Sequence, residues 1–531
     1  MALLNSPTEL LARNLRLAPD AVAFIDGERV ITYARFDGMC RRTAAWLTAR
    51  GIRPGDKVAV WLVNRVEWLA LYFALARIGA ALVAVNTRYR SHEVEYILER
   101  SGARMLVLEL NFRSIDFPAV LAKVNAQAAV ALEQVAVLNP GEGAVPDTVL
   151  GKSACTFDLA LLPDEDATVT GTPDSLSILF TTSGTTSGPK LVMHSQRTVV
   201  LHSQRVAAGY GFEAEGVCLL GVLPLCGVFG FDGVLGAFAA GKPVVLMEAF
   251  DARTAAGLIA RHQITHLFGS DEMFRRLLDE VEGERPFPSL RVCGYAWFQP
   301  WAEDIGRQAW RRGVPLVGLY GSSEVHALFS LQRPQLDDSE RVKGGGLPCN
   351  PTAQIRIRDI DTGELLPADR PGAIEIRADS NFVGYLNNPQ ATHAAIDAEG
   401  FFATGDVGYL RQDGSFVYQM RQGDAMRLGG FLVSPAEIED VLKEQPGVQD
   451  CQVVGVDIDD QVRCAAFVIL DAGAVLDEAA LKAAAASVLA AFKVPARIWA
   501  VESFPRTQSA NGDKIQRAKL REMATQRLDE A

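Results

Sequence analysis

The chain has 531 residues, 49% hydrophobic and 22% charged, with a formal net charge of −12 and a pI near 5.3. This length predicts more than one domain, and the composition is that of a globular protein rather than a disordered one. The acidic balance argues against general binding to nucleic acid.

The amino-terminal region lacks the features of a targeting or membrane segment. Residues 1–14 contain Glu9 and have no basic start followed by an apolar run, which argues against a secretion signal. The longest apolar region, 58–85, is interrupted by charged and polar side chains, so we expect a buried strand and helix there.

Eight cysteines without a Cys-x-x-Cys pair indicate neither a zinc site nor a disulfide framework, and we expect a cytoplasmic protein.

Strand-like and helix-length segments alternate through the first part of the chain. Short apolar runs predict strands at 58–62, 81–85 and 105–108. Longer segments between them predict helices at 68–76 and 92–99. This alternation predicts crossover units on parallel sheets.

A hydroxyl-rich segment follows, between predicted strands at 176–180 and 191–193. Its residues are Thr181, Thr182, Ser183, Gly184, Thr185, Thr186, Ser187, Gly188, Pro189 and Lys190. Glycines let successive backbone N–H groups converge on an anion, while hydroxyls and a lysine add donors and positive charge. The segment therefore indicates a phosphate-binding loop, and the simpler alternative is a solvated hairpin turn.

The spacing differs from that of the nucleotide-binding P-loop, which requires Gly, four residues and then Gly-Lys-Ser/Thr. Here the second glycine comes one residue early, and Pro189 separates it from Lys190. Leu191 stands where a magnesium-binding hydroxyl is needed. We therefore set aside a kinase or motor ATPase.

Four later motifs accompany the loop. They are Tyr320-Gly321-Ser322-Ser323-Glu324, Thr404-Gly405-Asp406, the segment 421–439 and the segment 504–517. Together with the loop, and in this order, they resemble the signatures of the adenylate-forming (AMP-binding) superfamily. That superfamily includes acyl-CoA synthetases, adenylation domains of peptide synthetases and firefly luciferase, and the chain most resembles the acyl-CoA synthetases, or fatty-acid-CoA ligases.

The resemblance implies an α/β fold with two domains. A large N-terminal domain, 1–420, has parallel-rich sheets with flanking helices and a β-barrel-like subdomain, and carries the adenylation site. A small mobile α+β domain, 421–531, follows a hinge at 421–424. In the smaller domain the pattern predicts helices at 434–444 and 478–492 and strands at 448–456 and 465–470.

The resemblance also implies roles in binding ATP. The segment Thr181–Lys190 binds the β- and γ-phosphates, and Glu324 binds Mg²⁺, because hard divalent cations prefer carboxylate oxygen. In the Tyr320–Ser323 segment, Tyr320 stacks on adenine and the hydroxyls reach phosphate. Asp406 and Arg421 bind the ribose hydroxyls.

The predicted catalytic residues are Lys514, Lys190 and Glu324. Lys514 bridges the substrate carboxylate and the α-phosphate, where negative charge concentrates. Four other cations of the same region are expected to form a solvated helix face: Arg506, Arg517, Lys519 and Arg521. The alternative is that one of them contacts the cofactor phosphates.

Gly429 and Gly430 resemble the glycine loop that lines the pantetheine channel for coenzyme A. A turn before the helix that begins near Ser434 is the alternative, and both interpretations are compatible. The same loop also suits a carrier-protein acceptor.

The implied acyl pocket departs from the common family pattern. Its predicted contacts are Gly227, Val228, Phe229, Gly294, Tyr295, Ala296, Trp297 and His326. Gly227 replaces a usual gating side chain and leaves room, whereas Tyr295 and Trp297 shorten or reshape the cavity. For His326 the alternative is a satisfied core or surface histidine.

An amino-acid-activating enzyme is a rival interpretation. Phe231-Asp232 superficially resembles the pair that binds an α-amino group in peptide-synthetase domains. Counting back the family's interval from Gly241 reaches Val228 instead, and an apolar residue there favours a carboxylic acid without an α-ammonium group.

We therefore predict an acyl-CoA synthetase that uses ATP, Mg²⁺ and coenzyme A. A carboxylic acid forms an acyl-adenylate with release of pyrophosphate, and coenzyme A then receives the acyl group as a thioester. The alternatives are a stand-alone ligase that loads an acyl-carrier protein and, less favoured, a degenerate adenylate-binding module. The expected partner is a small carboxylic acid, without nucleic acid or stable membrane insertion, and a dimer is compatible with the sequence.

Overall fold

The computed structural model describes residues 3–112, 115–138, 145–182, 190–296, 302–428, 431–458, 461–489, 491–509 and 512–530. The chain divides into two units. The first lies within Met1–Trp297, Trp301–Gln354 and Ile376–Phe402, and the second lies within Ile355–Glu375 and Ala403–Ala531. The second unit thus takes in residues 403–420, and the predicted domain boundary at 420/421 stays a prediction.

The helices follow in chain order. They are α1 (Pro7–Leu17), α2 (Tyr33–Ala49), α3 (Val66–Arg77), α4 (Ser91–Ser101), α5 (Phe117–Leu121), α6 (Gln196–Gly209), α7 (Val228–Ala239), α8 (Ala252–His262), α9 (Asp271–Glu280), α10 (Ala302–Arg311), α11 (Asp338–Arg341), α12 (Pro389–Ala395), α13 (Pro435–Lys443), α14 (Glu478–Val488) and α15 (Arg517–Asp529).

The strands are numbered in the same way. They are β1 (Val22–Asp26), β2 (Arg29–Thr32), β3 (Lys57–Trp61), β4 (Ala81–Ala84), β5 (Met105–Glu109), β6 (Asn111–Phe112), β7 (Ile115–Asp116), β8 (Gln134–Leu138), β9 (Thr148–Val149), β10 (Lys152–Thr156), β11 (Leu176–Thr181), β12 (Leu191–Ser195), β13 (Leu219–Gly221), β14 (Val244–Leu246), β15 (His266–Ser270), β16 (Val292–Ala296), β17 (Leu316–Ser322), β18 (His326–Leu331), β19 (Gly345–Pro348), β20 (Gln354–Arg358), β21 (Gly372–Arg377), β22 (Gly384–Tyr385), β23 (Phe402–Leu410), β24 (Phe416–Arg421), β25 (Met426–Leu428), β26 (Phe431–Val433), β27 (Val448–Ile458), β28 (Gln461–Leu470), β29 (Arg497–Ala500), β30 (Arg506–Ser509) and β31 (Gly512–Ile515).

Two sheets organise the first unit. One has the order β2-β1-β14-β13-β15-β16-β17-β18-β19, and the other has the order β22-β12-β11-β4-β3-β5-β8-β10-β9. From β1 through β14, β13, β15 and β16 to β17 the neighbours run parallel, and the β17/β18 pair is antiparallel. In the other sheet the neighbours run parallel from β11 through β4, β3, β5 and β8 to β10, and the pairs β11/β12 and β10/β9 are antiparallel. The predicted crossover units are confirmed.

Alternation along the strands divides the cores. Leu219 of β13 packs in the same apolar cluster as Val58 of β3, and that cluster also contains residues of α2, α3, α6 and α7. Leu220 turns to a separate cluster formed with α8, α9 and α10, and Ala59 turns to one formed with α4 and α5. Successive strand residues point to opposite faces, so these sheets share one helical core and cover their outer faces with other helices.

Local sequence explains the two helices that border the site. At the start of α6, the Ser195 hydroxyl accepts a hydrogen bond from the Thr198 backbone at 3.2 Å, which is the usual serine N-cap. Every residue of α7 is buried. A Cβ at Gly230 would lie 2.4 Å from the Pro224 carbonyl oxygen, so glycine is required for the close approach of α7 to the preceding turn.

The second unit contains strands in the order β24-β23-β21-β20 and a three-stranded sheet, β27-β28-β29. Helices α13 and α14 pack on one face of the three-stranded sheet and α15 packs on the other. The predicted α+β character is confirmed, and the predicted elements at 434–444, 448–456, 465–470 and 478–492 correspond to α13, β27, β28 and α14. Among the described residues, none of the helices combines the length and apolarity needed to cross a membrane.

Candidate active site

The two ends of the hydroxyl-rich segment are held together by backbone pairing. Thr181 ends β11 opposite Leu191 at the start of β12. The Thr182 N–H donates to the Lys190 carbonyl at 2.9 Å, and the Lys190 N–H donates to the Thr182 hydroxyl at 3.1 Å. The predicted phosphate contacts Ser183, Gly184, Thr185, Thr186, Ser187 and Gly188 lie outside the described residues.

Glu324 lies in the tight turn between β17 and β18. A Cβ at Gly321 would lie 2.5 Å from the Ala327 Cα, so the turn requires glycine there. The Ser322 hydroxyl accepts a hydrogen bond from the Glu324 N–H at 3.3 Å. Tyr320 is buried in β17 opposite Ser330. The backbone thus fixes Glu324, while its carboxylate stays partly exposed.

Tyr385 joins two predicted site residues and was missed by sequence reasoning. Its hydroxyl donates to Glu324 Oε1 at 3.0 Å, and the Lys190 ammonium lies 4.7 Å from its ring centroid. Strand β22 pairs with β12 and places Tyr385 opposite Val192, next to Lys190. The only sequence signal was a Gly-Tyr pair between two turns, which is too general to indicate this contact.

His194 supports the same turn from within the core. It is fully buried on β12, and its Nε2–H donates to the Ser323 carbonyl at 2.7 Å. Burial lowers the pKa of His194 well below its usual value, and the neighbouring His326 adds to this effect. A neutral His194 therefore holds the residue that precedes Glu324.

Behind His194 lies a buried group of three polar side chains, which we call the core triad: His202 of α6, Asp232 of α7 and His326 of β18. The His326 ring is 4.0 Å from that of His194 and 4.5 Å from that of His202. Nδ1 of His326 and Oδ1 of Asp232 are 3.1 Å apart, and Nε2 of His202 is 2.7 Å from the Ala327 carbonyl oxygen. His326 has a φ of +66°, in the left-handed region that disfavours a side chain.

Burial sets the protonation of the core triad. It lowers the pKa values of His202 and His326 to about 3, so both imidazoles are neutral at pH 7. Burial raises the pKa of Asp232 to about 7, and the nearby His202 and the Ala327 backbone oppose part of that rise. The sequence predicted His326 as an acyl contact, indicated Asp232 only within the disfavoured amino-acid-activating interpretation, and gave no signal for His202.

The remaining predicted acyl contacts fall on two elements. Gly227 is the N-cap residue of α7, and Val228 and Phe229 are buried at its first turn. On β16, Gly294 and Ala296 alternate with Tyr295, which packs toward α10.

Tyr295 is held by the core on the α10 side of the sheet. Its hydroxyl lies 2.9 Å from the Ala302 carbonyl oxygen and 3.1 Å from that of Val342. This placement gives no support to Tyr295 as a wall of a cavity beside α7. Trp297, the other aromatic predicted there, lies outside the described residues.

In the second unit, Asp406 and Arg421 face each other across β23 and β24. Arg421 Nη1 lies 3.0 Å from Asp406 Oδ1 and donates to the Thr404 carbonyl at 3.0 Å. Gly405 has a φ of +72°, which glycine adopts without strain. Asp406 is 4% exposed, whereas the Arg421 side chain is 56% exposed. The sequence motif thus places a fixed carboxylate beside an accessible guanidinium.

The other predictions for the second unit have different outcomes. Lys514 lies on β31 opposite Thr507 of β30. Gly429 and Gly430 lie outside the described residues. The expectation that Arg517 belongs to a solvated helix face is wrong: its guanidinium donates to both carboxylate oxygens of buried Glu439, at 2.6 and 3.1 Å.

Comparison with known proteins decides the family. Residues 11–386 match the model of the AMP-binding enzyme family, and residues 437–511 match the AMP-binding enzyme C-terminal domain. The chain belongs to the AMP-binding enzyme family.

Relatives of this AMP-binding enzyme align along nearly its whole length. A 2-succinylbenzoate–CoA ligase from Geobacillus kaustophilus is 30% identical, covering 96% of each chain. A 3-hydroxybenzoate–CoA/4-hydroxybenzoate–CoA ligase from Thauera aromatica is 29% identical, covering 98% of this chain and 97% of its own. The ATP-bound structure of MatB from Rhodopseudomonas palustris has a TM-score of 0.80 at 27% identity, covering 97% and 98% of the two chains. The predicted family, α/β fold and acid–thiol ligase class are confirmed.

Proposed function

We propose that this AMP-binding enzyme converts a carboxylic acid to its coenzyme A thioester through an acyl-adenylate. In the first step a carboxylate oxygen forms a bond to the α-phosphorus of ATP, and the bond from that phosphorus to pyrophosphate breaks. In the second step the coenzyme A sulfur forms a bond to the acyl carbon, AMP leaves, and the thiol proton passes to solvent. Charge and positioning dominate the barrier of the first step.

The observation that carries this proposal is the arrangement of Lys190, Tyr385 and Glu324. The Lys190 ammonium lies over the ring face of Tyr385, and the Glu324 carboxylate accepts from the Tyr385 hydroxyl. Lys190 is also where backbone pairing joins the two ends of the hydroxyl-rich segment. Lys190 and the Thr181–Gly188 segment bind the departing pyrophosphate, because an ammonium and hydroxyl donors stabilise the charge that collects there. Tyr385 keeps the two charged groups at fixed positions.

The donor set around Glu324 fits Mg²⁺. A carboxylate has several lone pairs, so an Oε1 that accepts from Tyr385 leaves oxygen sites for a hard cation. Glu324 would hold the ion, with the Ser322 and Ser323 hydroxyls close in sequence. When bound, magnesium neutralises charge on the phosphate oxygens.

Residues of both units have assigned roles. Asp406 accepts hydrogen bonds from the ribose hydroxyls, and Arg421 assists there, because the fixed carboxylate and accessible guanidinium suit a diol. Tyr320 contacts adenine, Lys514 stabilises charge between the substrate carboxylate and the α-phosphate, and Gly429-Gly430 admit pantetheine. On the acid side the proposed contacts are Gly227, Val228, Phe229, Gly294, Ala296 and His326.

The test is pyrophosphate release from ATP with a panel of carboxylic acids, in the wild type and in Lys514→Ala. We expect a loss of about a hundredfold or more in the variant, as for removal of a preorganised group that stabilises a transition state. Lys519→Ala is the matched control, because Lys519 is an exposed lysine on the adjacent helix α15. Equal rates in the wild type and Lys514→Ala would remove Lys514 from the mechanism.

A second measurement identifies the acceptor. With coenzyme A present, the thioester should appear at the rate of pyrophosphate release and depend on the thiol. Sustained pyrophosphate release without thioester would contradict coenzyme A as the acceptor and point to a carrier protein. Absence of release with every acid would contradict the adenylating activity itself.

A further inference from the structure

We propose that the core triad of His202, Asp232 and His326 recognises a hydroxyl group on the acid substrate, at a position remote from the reacting carboxylate. This inference rests on the proposed function and specifies the class of acid. The preferred substrate is an acid with an uncharged hydrogen-bond donor, rather than a plain hydrocarbon chain or a dicarboxylate.

The core triad lies beside a residue that we propose as an acid contact. Val228, a proposed acid contact, and Asp232 are one turn apart on α7, so they share a face of that helix. His326 contacts His194, and His194 donates to the Ser323 carbonyl beside Glu324. The triad therefore lies one layer of side chains behind the proposed phosphate and magnesium site.

Each member of the triad has one buried polar atom without a hydrogen-bond partner among the described residues. These atoms are His202 Nδ1, Asp232 Oδ2 and His326 Nε2. Leaving a buried polar group unsatisfied costs about 1–3 kcal/mol, so three in one group are an unusual feature of a native core. A ligand that supplies the missing partner removes this cost only when it is bound, which gives selectivity for that ligand.

The hydrogen bonds already made determine what the open atoms offer. A carbonyl only accepts, so His202 must donate its Nε2 proton to Ala327, and its Nδ1 is left with a lone pair. When Asp232 is ionised, His326 donates from Nδ1, and both His326 Nε2 and Asp232 Oδ2 are acceptors. When the shared proton lies on Asp232 Oδ1, His326 Nε2 becomes a donor. A hydroxyl group suits both forms, because it donates to the acceptors and can accept from Nε2.

The charge of the triad excludes a second carboxylate on the substrate. Burial lowers the pKa of His202 to about 3, so its imidazole is neutral at pH 7 and supplies no cation. Asp232 is neutral or negative near that pH, since its pKa is raised to about 7. A buried anion placed beside His202 and Asp232 would find no positive charge on either, which is strongly unfavourable.

A metal ion is the alternative occupant, because one ligand atom from each triad residue falls within a 4.8 Å cluster. The ring geometry disfavours it. The rings of His202 and His326 are stacked at 4.5 Å with 9° between their planes. An imidazole lone pair lies in its ring plane, so a single ion cannot lie in both of these nearly parallel planes.

The test compares aromatic carboxylic acids that carry a hydroxyl, a methoxy group or hydrogen at the same ring position. Hydroxybenzoates and hydroxycinnamates with their methyl ethers give matched sets, and pyrophosphate release gives kcat/KM for each. We expect one hydroxyl position to exceed its methoxy and unsubstituted analogues by on the order of a hundredfold or more, as in sites built to bind a substrate hydroxyl. Comparable kcat/KM values across each set would overturn the inference while leaving the proposed function intact.

Asp232→Asn tests the assignment at one atom. The Asn amide oxygen can still accept from His326, and its NH₂ places donors where Oδ2 was an acceptor. The ratio of hydroxyl to methoxy substrates should therefore fall at least tenfold, through an increased KM for the hydroxy acid. Asp271→Asn, at another buried aspartate of the first unit, should leave the ratio unchanged.

Metal analysis of the purified wild type and Asp232→Asn completes the test. We expect no stoichiometric transition metal in either protein. One equivalent of zinc in the wild type that is lost in Asp232→Asn would overturn the recognition site and establish a metal site instead.

Discussion

Two carboxylates, Glu439 in the second unit and Asp232 in the first, are each only 1% exposed, but their surroundings differ. Both oxygens of Glu439 accept from the Arg517 guanidinium, and Oε1 also accepts from the Val453 N–H at 2.7 Å. Asp232 faces neutral imidazoles, and its Oδ2 has no hydrogen-bond partner among the described residues.

The difference separates a carboxylate whose hydrogen bonds are complete from one with an open oxygen. A buried carboxylate with a bidentate arginine and a backbone donor is satisfied, so it organises α13, β27 and α15 without needing a ligand. A buried carboxylate with an open oxygen costs stability in the resting protein, and such groups persist at sites where a ligand supplies the missing contact. Burial is common to both carboxylates, and the open oxygen is what distinguishes Asp232 from Glu439.

The largest effect is expected at the satisfied pair. Arg517→Met leaves Glu439 buried without its cation, which should cost about 3–5 kcal/mol in the stability of the second unit. The measurement is native-state hydrogen exchange at the β27 amides. The double variant Arg517→Met/Glu439→Leu is the control and should recover much of the loss. A single variant with wild-type protection would show that the pair has no structural role.

Replacing Asp232 should stabilise the protein, whereas replacing Arg517 should destabilise it. Its folded pKa, about 7, is above the unfolded value near 3.9, so the wild type loses stability relative to Asp232→Asn as pH rises through 4–7. The variant should gain on the order of 4 kcal/mol relative to the wild type between pH 4 and pH 8. The readout is the difference between their thermal unfolding curves across that range.

The groups that act electrostatically on Asp232 are His202 and His326, together with Tyr72, Tyr210 and Cys349. All are common to both proteins, so their own titrations largely cancel in the comparison. A stability difference that does not change with pH would contradict the raised pKa.

The imidazoles of the triad should limit stability in acid. The pKa of His202 in the folded protein, about 3, is below the unfolded value near 6.5, so stability is lost as pH falls through 6.5–3. In His202→Gln this loss should be smaller by about 1.4 kcal/mol per pH unit below 6.5. Urea unfolding at pH 6.5, 5.5 and 4.5 measures it, and His393→Gln serves as the control at an exposed histidine position on α12. Parallel acid profiles for wild type and His202→Gln would argue against a neutral buried imidazole.

Glu324 lies between the fully paired Glu439 and the partly unpaired Asp232, and loss of its tyrosine hydrogen bond should have the smallest of the expected effects. It is partly exposed and accepts one tyrosine hydrogen bond. Tyr385→Phe removes that bond but keeps the ring beneath Lys190, so we expect about a tenfold lower kcat/KM for pyrophosphate release, equivalent to about 1.4 kcal/mol. Tyr385→Leu also removes the ring and should be slower still. Equal activities of the Phe and Leu variants would assign no role to the Lys190–ring contact.

The sequence predicted features that depend on neighbouring residues. The alternating segments from Lys57 to Glu109 correspond to strands and helices near the expected positions. Asp406 and Arg421, both predicted to bind the ribose, lie side by side because adjacent strands β23 and β24 pair there, and their role at the ribose stays a prediction. The orientation of Tyr295 was not predictable, because strand alternation leaves either face open until the register is known.

The sequence by itself determined the family, the parallel architecture and the positions of the phosphate-loop and magnesium candidates. These rest on local periodicity and on motifs in which adjacent residues act together. Only the tertiary structure brought Tyr385 to Glu324, buried Arg517 against Glu439 and assembled His202, Asp232 and His326 from α6, α7 and β18. Each of these groups is unremarkable in its own segment, and its chemistry is set by partners that packing supplies from distant parts of the chain.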